Sequence, residues 1–210
     1  MKKVKKGIYF IMLLGLFNSA CSKEEIEVET PMESQLTTAE LAMLHYMMEE
    51  EKLAYDVYIT LYQKYGTAIF NNISKSELTH IEAVNKLLEK YNIPNTASNT
   101  VGVYNIEHIQ ELYDGLIASG NISLVEALKV GATIEDVDIF DLENYLGETE
   151  NADIISVFDF LNCGSRNHLR GFMLQLEAQG ADYTPQFITQ ERFDEILNHD
   201  HEICASYTLD

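Results

Sequence analysis

The sequence predicts an all-α protein: a bundle of four long helices with short additional helices between and after them. Three observations carry this. Apolar residues recur at three- and four-residue spacing over four segments of more than twenty residues. Capping residues or glycine and proline stops bracket these segments. No segment shows strict alternation, so strand content is expected near zero. The 210 residues suit one domain. Apolar side chains make up 46% of the chain, enough to fill a core, and 3 Pro with 11 Gly disfavour low-complexity architecture.

Residues 1–20 come first and lie outside this fold. Lys2, Lys3, Lys5 and Lys6 precede the apolar run Ile8 to Phe17, and Ser19-Ala20 precede Cys21. That is the three-part layout of an export signal, too short to span a membrane. A cysteine directly after small residues resembles a bacterial lipoprotein signal, which implies cleavage before Cys21 and lipid on its thiol. Asn18 departs from the usual Leu. Residues 21–25 (CSKEE) also resemble the acidic tag that sends some Gram-negative lipoproteins to the cell surface. The expected location is therefore the outer membrane or cell surface, with membrane contact through the lipid anchor only. Residues 22–37 are polar, acidic and without helical period, and read as a flexible tether.

The four long helices follow. Thr37 or Thr38 caps a helix with Leu41, Leu44, Met48, Tyr55, Tyr58 and Tyr62 inward, running to about Gly66. A second runs from about Thr67 to Tyr91, stopped by Ile93-Pro94-Asn95. After a loop at 95–103, a short helix covers about 104–118 and closes at Gly120. The third long helix covers 122–146, closed by Gly147, and the fourth 151–179, closed by Gly180. The domain so defined spans 38–188. A short helix at about 188–198 and a tail end the chain.

Charge narrows the partners. With 14 Lys and Arg against 34 Asp and Glu, the formal charge is −20, which repels phosphate backbones and argues against nucleic acid. Without the four signal lysines the balance is 10 against 34, or −24. Cys163 and Cys204 have the chance to pair in an oxidising compartment, but spacing does not show their proximity. No CxxC or paired Cys/His zinc pattern occurs.

The informative residues are acids and histidines inside the apolar stripes. Glu51 shares a face with Leu44, Met48, Ala54 and Tyr58; Glu50 has an equally apolar neighbourhood, and helix phase does not separate them. Glu77 and His80 are three apart on the second helix, and Glu135 and Asp138 three apart on the third. His168 lies on the fourth beside Gly164, Ser165 and Gly171. Small residues beside these groups leave room for an ion or water. A carboxylate in such a stripe is desolvated at high cost unless a cation binds it. Each residue alone fits a bland reading: a chance ExxH, a paired core acid, a satisfied core histidine. One inward cluster per long helix, four carboxylates and two imidazoles in all, is instead the ligand count of a dinuclear iron or manganese centre, with zinc a further candidate.

With these stretches in hand, the sequence resembles the ferritin-like superfamily, and within it domain-of-unknown-function family 2202, over about residues 38–188. Residues 49–54 (EEEKLA), 76–80 (SELTH), 127–138 (ALKVGATIEDVD) and 164–170 (GSRNHLR) carry the resemblance. Rubrerythrin-type members have a first-helix Glu with Ala three on and Tyr seven on, a register matched by Glu51, Ala54 and Tyr58, which favours Glu51 over Glu50. The resemblance implies two iron ions held by Glu51, Glu77, His80, Glu135, Asp138 and His168. It also implies redox chemistry: reduction of peroxide or O₂, or oxidation of Fe(II). This chain departs from the pattern at Ser165, where the fourth helix normally supplies a carboxylate, and Asp138 is shorter than the usual Glu. A mononuclear or weakly held second metal is thereby kept open. The electron relay of a rubredoxin-like CxxC pair is absent.

Other residues read as framework. Arg166 and Arg170 suit surface salt bridges or the orientation of acids around the metal. Tyr55 and Tyr58 suit core packing, with donation to a ligand or radical chemistry as the alternative. His45, His108, Glu126, Asp136, Glu143 and the tail residues His199 to Glu202 read as solvated. No GxSxG, P-loop, GxGxxG or HExxH occurs, so the corresponding hydrolase, NTPase, dinucleotide and zincin readings lack support. Three classes remain: a di-iron redox enzyme, a metal binder without turnover, and a structural or interaction lipoprotein with a degenerate site. A homodimer is compatible with the sequence, which does not fix the oligomeric state.

Overall fold

The computed structural model describes residues 36–209. The export signal, Cys21 and nearly all of the tether lie outside the described residues. Among the described residues all regular structure is helical: α1 (Thr38–Tyr65), α2 (Ala68–Lys90), α3 (Glu107–Gly120), α4 (Leu124–Glu148), α5 (Ala152–Ala178) and α6 (Gln190–Asn198). None of these helices is long and apolar enough to cross a membrane.

Local chemistry sets most of the ends. Thr37 opens α1 with a reciprocal capping box: its hydroxyl accepts from the Glu40 N–H, and Glu40 accepts from the Thr37 N–H at 2.8 Å. Ser123 caps α4, Asn151 caps α5 and Thr189 caps α6, each through its side-chain oxygen. Two ends differ from the sequence expectation. The start of α3 is Glu107 instead of about 104, because Asn105 and Ile106 spend their N–H groups on the Glu49 carboxylate. α4 passes through Gly147 to Glu148, and its turn to α5 is tied by Thr149 donating to Glu40 at 2.7 Å.

α1 pairs with α2 and α4 with α5, each pair joined by a short turn, and the two hairpins close a four-helix bundle. Its interior holds two apolar clusters. One gathers Leu53, Val57, Tyr58, Phe70, Ala132, Leu169 and Phe172. The other gathers Leu44, Met48, Val84, Leu87, Leu142, Phe158 and Leu161. On every long helix the change from one cluster to the other falls near the sequence-selected polar residues, so the polar groups form a seam inside the core.

The C-terminal tail is tied to α5. Cys163 and Cys204 form a disulfide. Glu202 receives Arg166 through two nitrogens, at 2.8 and 2.5 Å, and Arg170 at 2.8 Å. The arginines thus hold the tail and not the acids expected to bind metal. Tyr207 packs on Phe160, whose ring stands edge-on to His80.

Candidate metal centre

Four helices deliver the seam residues at matched heights. Glu51 of α1, Glu77 and His80 of α2 and Glu135 of α4 are each 2% exposed, and His168 of α5 is 9% exposed. Spacing of three on α2 puts Glu77 and His80 on one face. The room beside the glycines is used by rings: a Cβ on Gly164 would meet His80 Nε2 at 2.5 Å, and one on Gly131 would meet Phe172 at 2.2 Å. Gly164 therefore lets α5 approach α2 closely enough to wall the histidine.

Glu77 is the hub. Its Oε2 lies 2.9 Å from His80 Nδ1, and its Oε1 lies 3.0 Å from His168 Nδ1. Glu51 Oε2 faces His80 Nδ1 at 3.1 Å, and Glu135 Oε2 faces His168 Nδ1 at 3.4 Å. Two triads result, Glu51–Glu77–His80 and Glu77–Glu135–His168, each offering one ligand atom per residue within 4.8 Å of one another. They share Glu77, one oxygen each. The imidazoles stack with centroids 5.5 Å apart.

Two predicted ligands stand apart from the triads. Asp138 is buried and accepts a hydrogen bond from Ser165 through Oδ2, Ser165 being the position where the sequence resemblance leads to the expectation of a carboxylate; Asp138 Oδ1 has no hydrogen-bond partner. Glu50, the alternative to Glu51, is buried with neither oxygen hydrogen-bonded and belongs to no triad. It faces Asp138, Asp141 and Glu51 instead.

The electrostatics are those of acids confined together. Burial, against the pull of His80, pushes the Glu51 carboxyl up to about 7. Burial and the charge of Glu51 push Asp138 well above the usual carboxylate range, and burial with the charges of Asp138 and Asp141 does the same to Glu50. Glu77 goes the other way: burial is outweighed by the facing His168 and His80, which hold it low. Burial alone would lower His168, but Glu77 and Glu135 raise it to about 10, and Glu51 and Glu77 likewise raise His80. The raised groups favour their protonated forms, as confinement without a cation dictates. Carboxylate oxygen and imidazole nitrogen suit Fe, Mn or Zn, and the orphaned Glu51 Oε1 and Asp138 Oδ1 are spare donors for them.

Two contacts support residues of the triads. Tyr58, fully buried, donates to Glu135 Oε1, and Ser76 lies 2.9 Å from His168 Nε2. Tyr58 was legible as an inward residue on α1; Ser76 had no periodic signal to single it out. Asp136, expected to be solvated, is instead fully buried. Its oxygens accept from the Tyr183 hydroxyl and from the N–H groups of Gln186, Phe187 and Ile188. The reason is tertiary: the segment after α5 folds back over α4 and brings these donors. His108 and His199 to His201 are exposed or half-exposed, and Glu126 and Glu143 are half-exposed, pairing with Lys129 and Arg192.

The chain has known relatives. An uncharacterized protein of Methanocaldococcus jannaschii, MJ0754, is 52% identical over 157 residues, 74% of this chain and 85% of that protein. The crystal structure of the hypothetical protein MJ0754 from Methanococcus jannaschii matches with a TM-score of 0.78 and 49% identity, covering 80% of this chain and 96% of that one. Residues 40–200 match the family described as an uncharacterized protein domain, DUF2202. That span takes in all but the first two residues of the four long helices and both triads, and the chain belongs to the DUF2202 family.

Proposed function

We propose that this chain is a ferritin-like, extracytoplasmic lipoprotein whose bundle interior holds two divalent metal ions, iron first among them with manganese and zinc as alternatives. One observation carries the reading: Glu77 presents its two oxygens to two different histidines, each completed by a further glutamate. A carboxylate that turns its two oxygens toward two separate His/Glu groups is placed to bridge two cations. Glu51 and His80 hold one ion; Glu135 and His168 hold the other. Asp138 stands by with a free buried oxygen. Bound iron would supply one-electron chemistry toward O₂ or peroxide, or become Fe(III) itself. The protein's part is to strip water from the ions and fix their spacing; the ions in turn would hold the buried acids in their ionised form.

The Asp138–Ser165 hydrogen bond favours a second reading, a metal binder without turnover, because it engages one oxygen of the acid nearest the missing carboxylate. Elemental analysis of the purified chain after anaerobic Fe(II) loading, followed by peroxide addition, separates the two. Two ions per chain with peroxide consumption supports the redox protein. Two ions without consumption supports the binder. No bound ion overturns both and leaves a structural lipoprotein. The anchor is tested separately, by mass analysis of Cys21 and by loss of membrane association in Cys21→Ser.

A further inference from the structure

Of the residues in the two triads, His168 has the most exposed side chain, at 10% against 2% for Glu51, Glu77, His80 and Glu135. Burial therefore constrains its ring least, yet the ring must present one particular atom. Nδ1 faces Glu77 Oε1 and Glu135 Oε2. Nε2 faces Ser76 Oγ at 2.9 Å. Ser76 precedes Glu77 on α2, so one turn of helix carries both the shared carboxylate and this hydroxyl.

A neutral imidazole has one nitrogen that donates and one that accepts, and only the unprotonated one binds metal. If Nε2 carries the proton, Nδ1 has the lone pair. A ring turned over by 180° would present Cδ2 to the two glutamates and Cε1 to Ser76, losing both interactions together. The hydroxyl therefore selects tautomer and ring orientation at once, the task that partners of a metal-bound histidine perform in general.

We propose that Ser76 is a positioning residue of the metal centre: its hydroxyl accepts the Nε2–H of His168 and so holds Nδ1, lone pair free, toward the ion shared with Glu77 and Glu135. The inference rests on the metal-centre reading above. His80 gets its orientation differently, from the wall at Gly164 and the edge of Phe160. Loss of Ser76 is therefore a defect of one ion position and not of both.

The test titrates Zn(II), which is redox-silent, into the metal-free full chain against a competing chelator. Unmutated protein takes up two ions. Ser76→Ala is expected to keep one at unchanged affinity and to bind the other about 10–100-fold more weakly, with Ser76→Thr restoring it. A merely structural serine would weaken both ion positions alike, so a loss confined to one position separates the two roles. Long-range ¹⁵N NMR of the Zn(II)-loaded, unmutated chain gives a second readout needing no variant: a protonated, exchange-protected His168 Nε2 is expected. Two ions bound by Ser76→Ala at unmutated affinity, or a freely exchanging or metal-bound Nε2, overturns the role of Ser76 alone. No uptake by the unmutated chain overturns the metal centre and this inference together.

Discussion

The core of this protein buries two sets of acids, and they are treated in opposite ways. Glu49 and Asp56 of α1 and Asp136 of α4 each gather several donors. Glu49 accepts the N–H groups of Asn105 and Ile106. Asp56 accepts Lys52 at 2.5 Å, the Gly102 N–H at 2.9 Å and the Tyr104 hydroxyl at 2.8 Å. Asp136 takes three backbone N–H groups and a tyrosine. These acids staple loops to helices. Glu50, Glu51 and Asp138, only a residue or two away along the same helices, have orphaned oxygens and face other acids. A buried acid whose oxygens are met by donors is framework; a buried acid with an orphaned oxygen among other acids carries an unmet electrostatic demand that a cation can satisfy.

The largest effect that would break this division is at Glu77. Glu77→Ala removes a donor from both triads, so uptake should fall from two ions to none, measured by elemental analysis after Fe(II) or Zn(II) loading. His80→Ala should likewise cut metal content strongly but leave the position on the other side occupied. A Glu77→Ala chain that keeps full occupancy shows that the ligand assignment is wrong.

Next comes the framework acid. Asp136→Ala strands three backbone donors and the Tyr183 hydroxyl, and should cost about 3 kcal/mol, the order expected for buried groups left unpaired. In a domain of this size that lowers the unfolding midpoint by roughly 10 °C. Metal stoichiometry should stay at two. A loss of metal with no loss of stability would place Asp136 among the ligands and erase the distinction drawn above.

The opposite sign is expected at Glu50. Its folded pKa is raised by burial and by the facing Asp138 and Asp141. A raised acid contributes stability that is present below its unfolded value, near 4.5, and lost as pH rises through the folded value. Glu50→Gln keeps the shape and never ionises. The metal-free variant should therefore be more stable than the unmutated chain at pH 8, by about 1 kcal/mol. The gap should close toward pH 4.5. Urea unfolding at the two pH values measures it. A destabilised Glu50→Gln at pH 8 would mean that Glu50 has donors and belongs with the staples.

The helices were legible because their signals are local: threonine and serine caps, a capping box and apolar periodicity all act within one or two turns. The ligand set was legible for the same reason, since Glu77 with His80 and Glu135 with Asp138 announce themselves by spacing three. The choice between Glu50 and Glu51 was not, because α1 buries Glu49, Glu50, Glu51 and Lys52 in succession, and phase loses meaning on a helix covered on nearly all sides. Contacts across the chain were the other blind spot. Asp136 meets donors about fifty residues on, Ser76 meets His168 ninety-two residues on, and the start of α3 is set by Glu49. No local pattern encodes those meetings; only the closed bundle creates them.

The smallest effect concerns an acid between the two extremes. Glu202 is half-exposed and is satisfied by side chains instead of backbone: hydrogen bonds from Arg166, then from Arg170, hold its carboxyl down at about 2. A depressed acid contributes stability above its unfolded value, near 4.5, that disappears as pH falls through about 2. Water screens the pair, so the contribution to global stability is small. The local consequence is sharper, because Glu202 also donates its N–H to Asn167 at 2.9 Å and accepts the Asn167 amide through its carbonyl. Between pH 4.5 and 2 the amide of Glu202 should lose hydrogen-exchange protection, relative to its intrinsic rate, before the amides of α5 do. The disulfide limits how far the tail can move, so Cys204→Ser should widen the protected-to-unprotected change without shifting its pH. Had the tail been held by apolar burial alone, its protection would follow α5 at every pH.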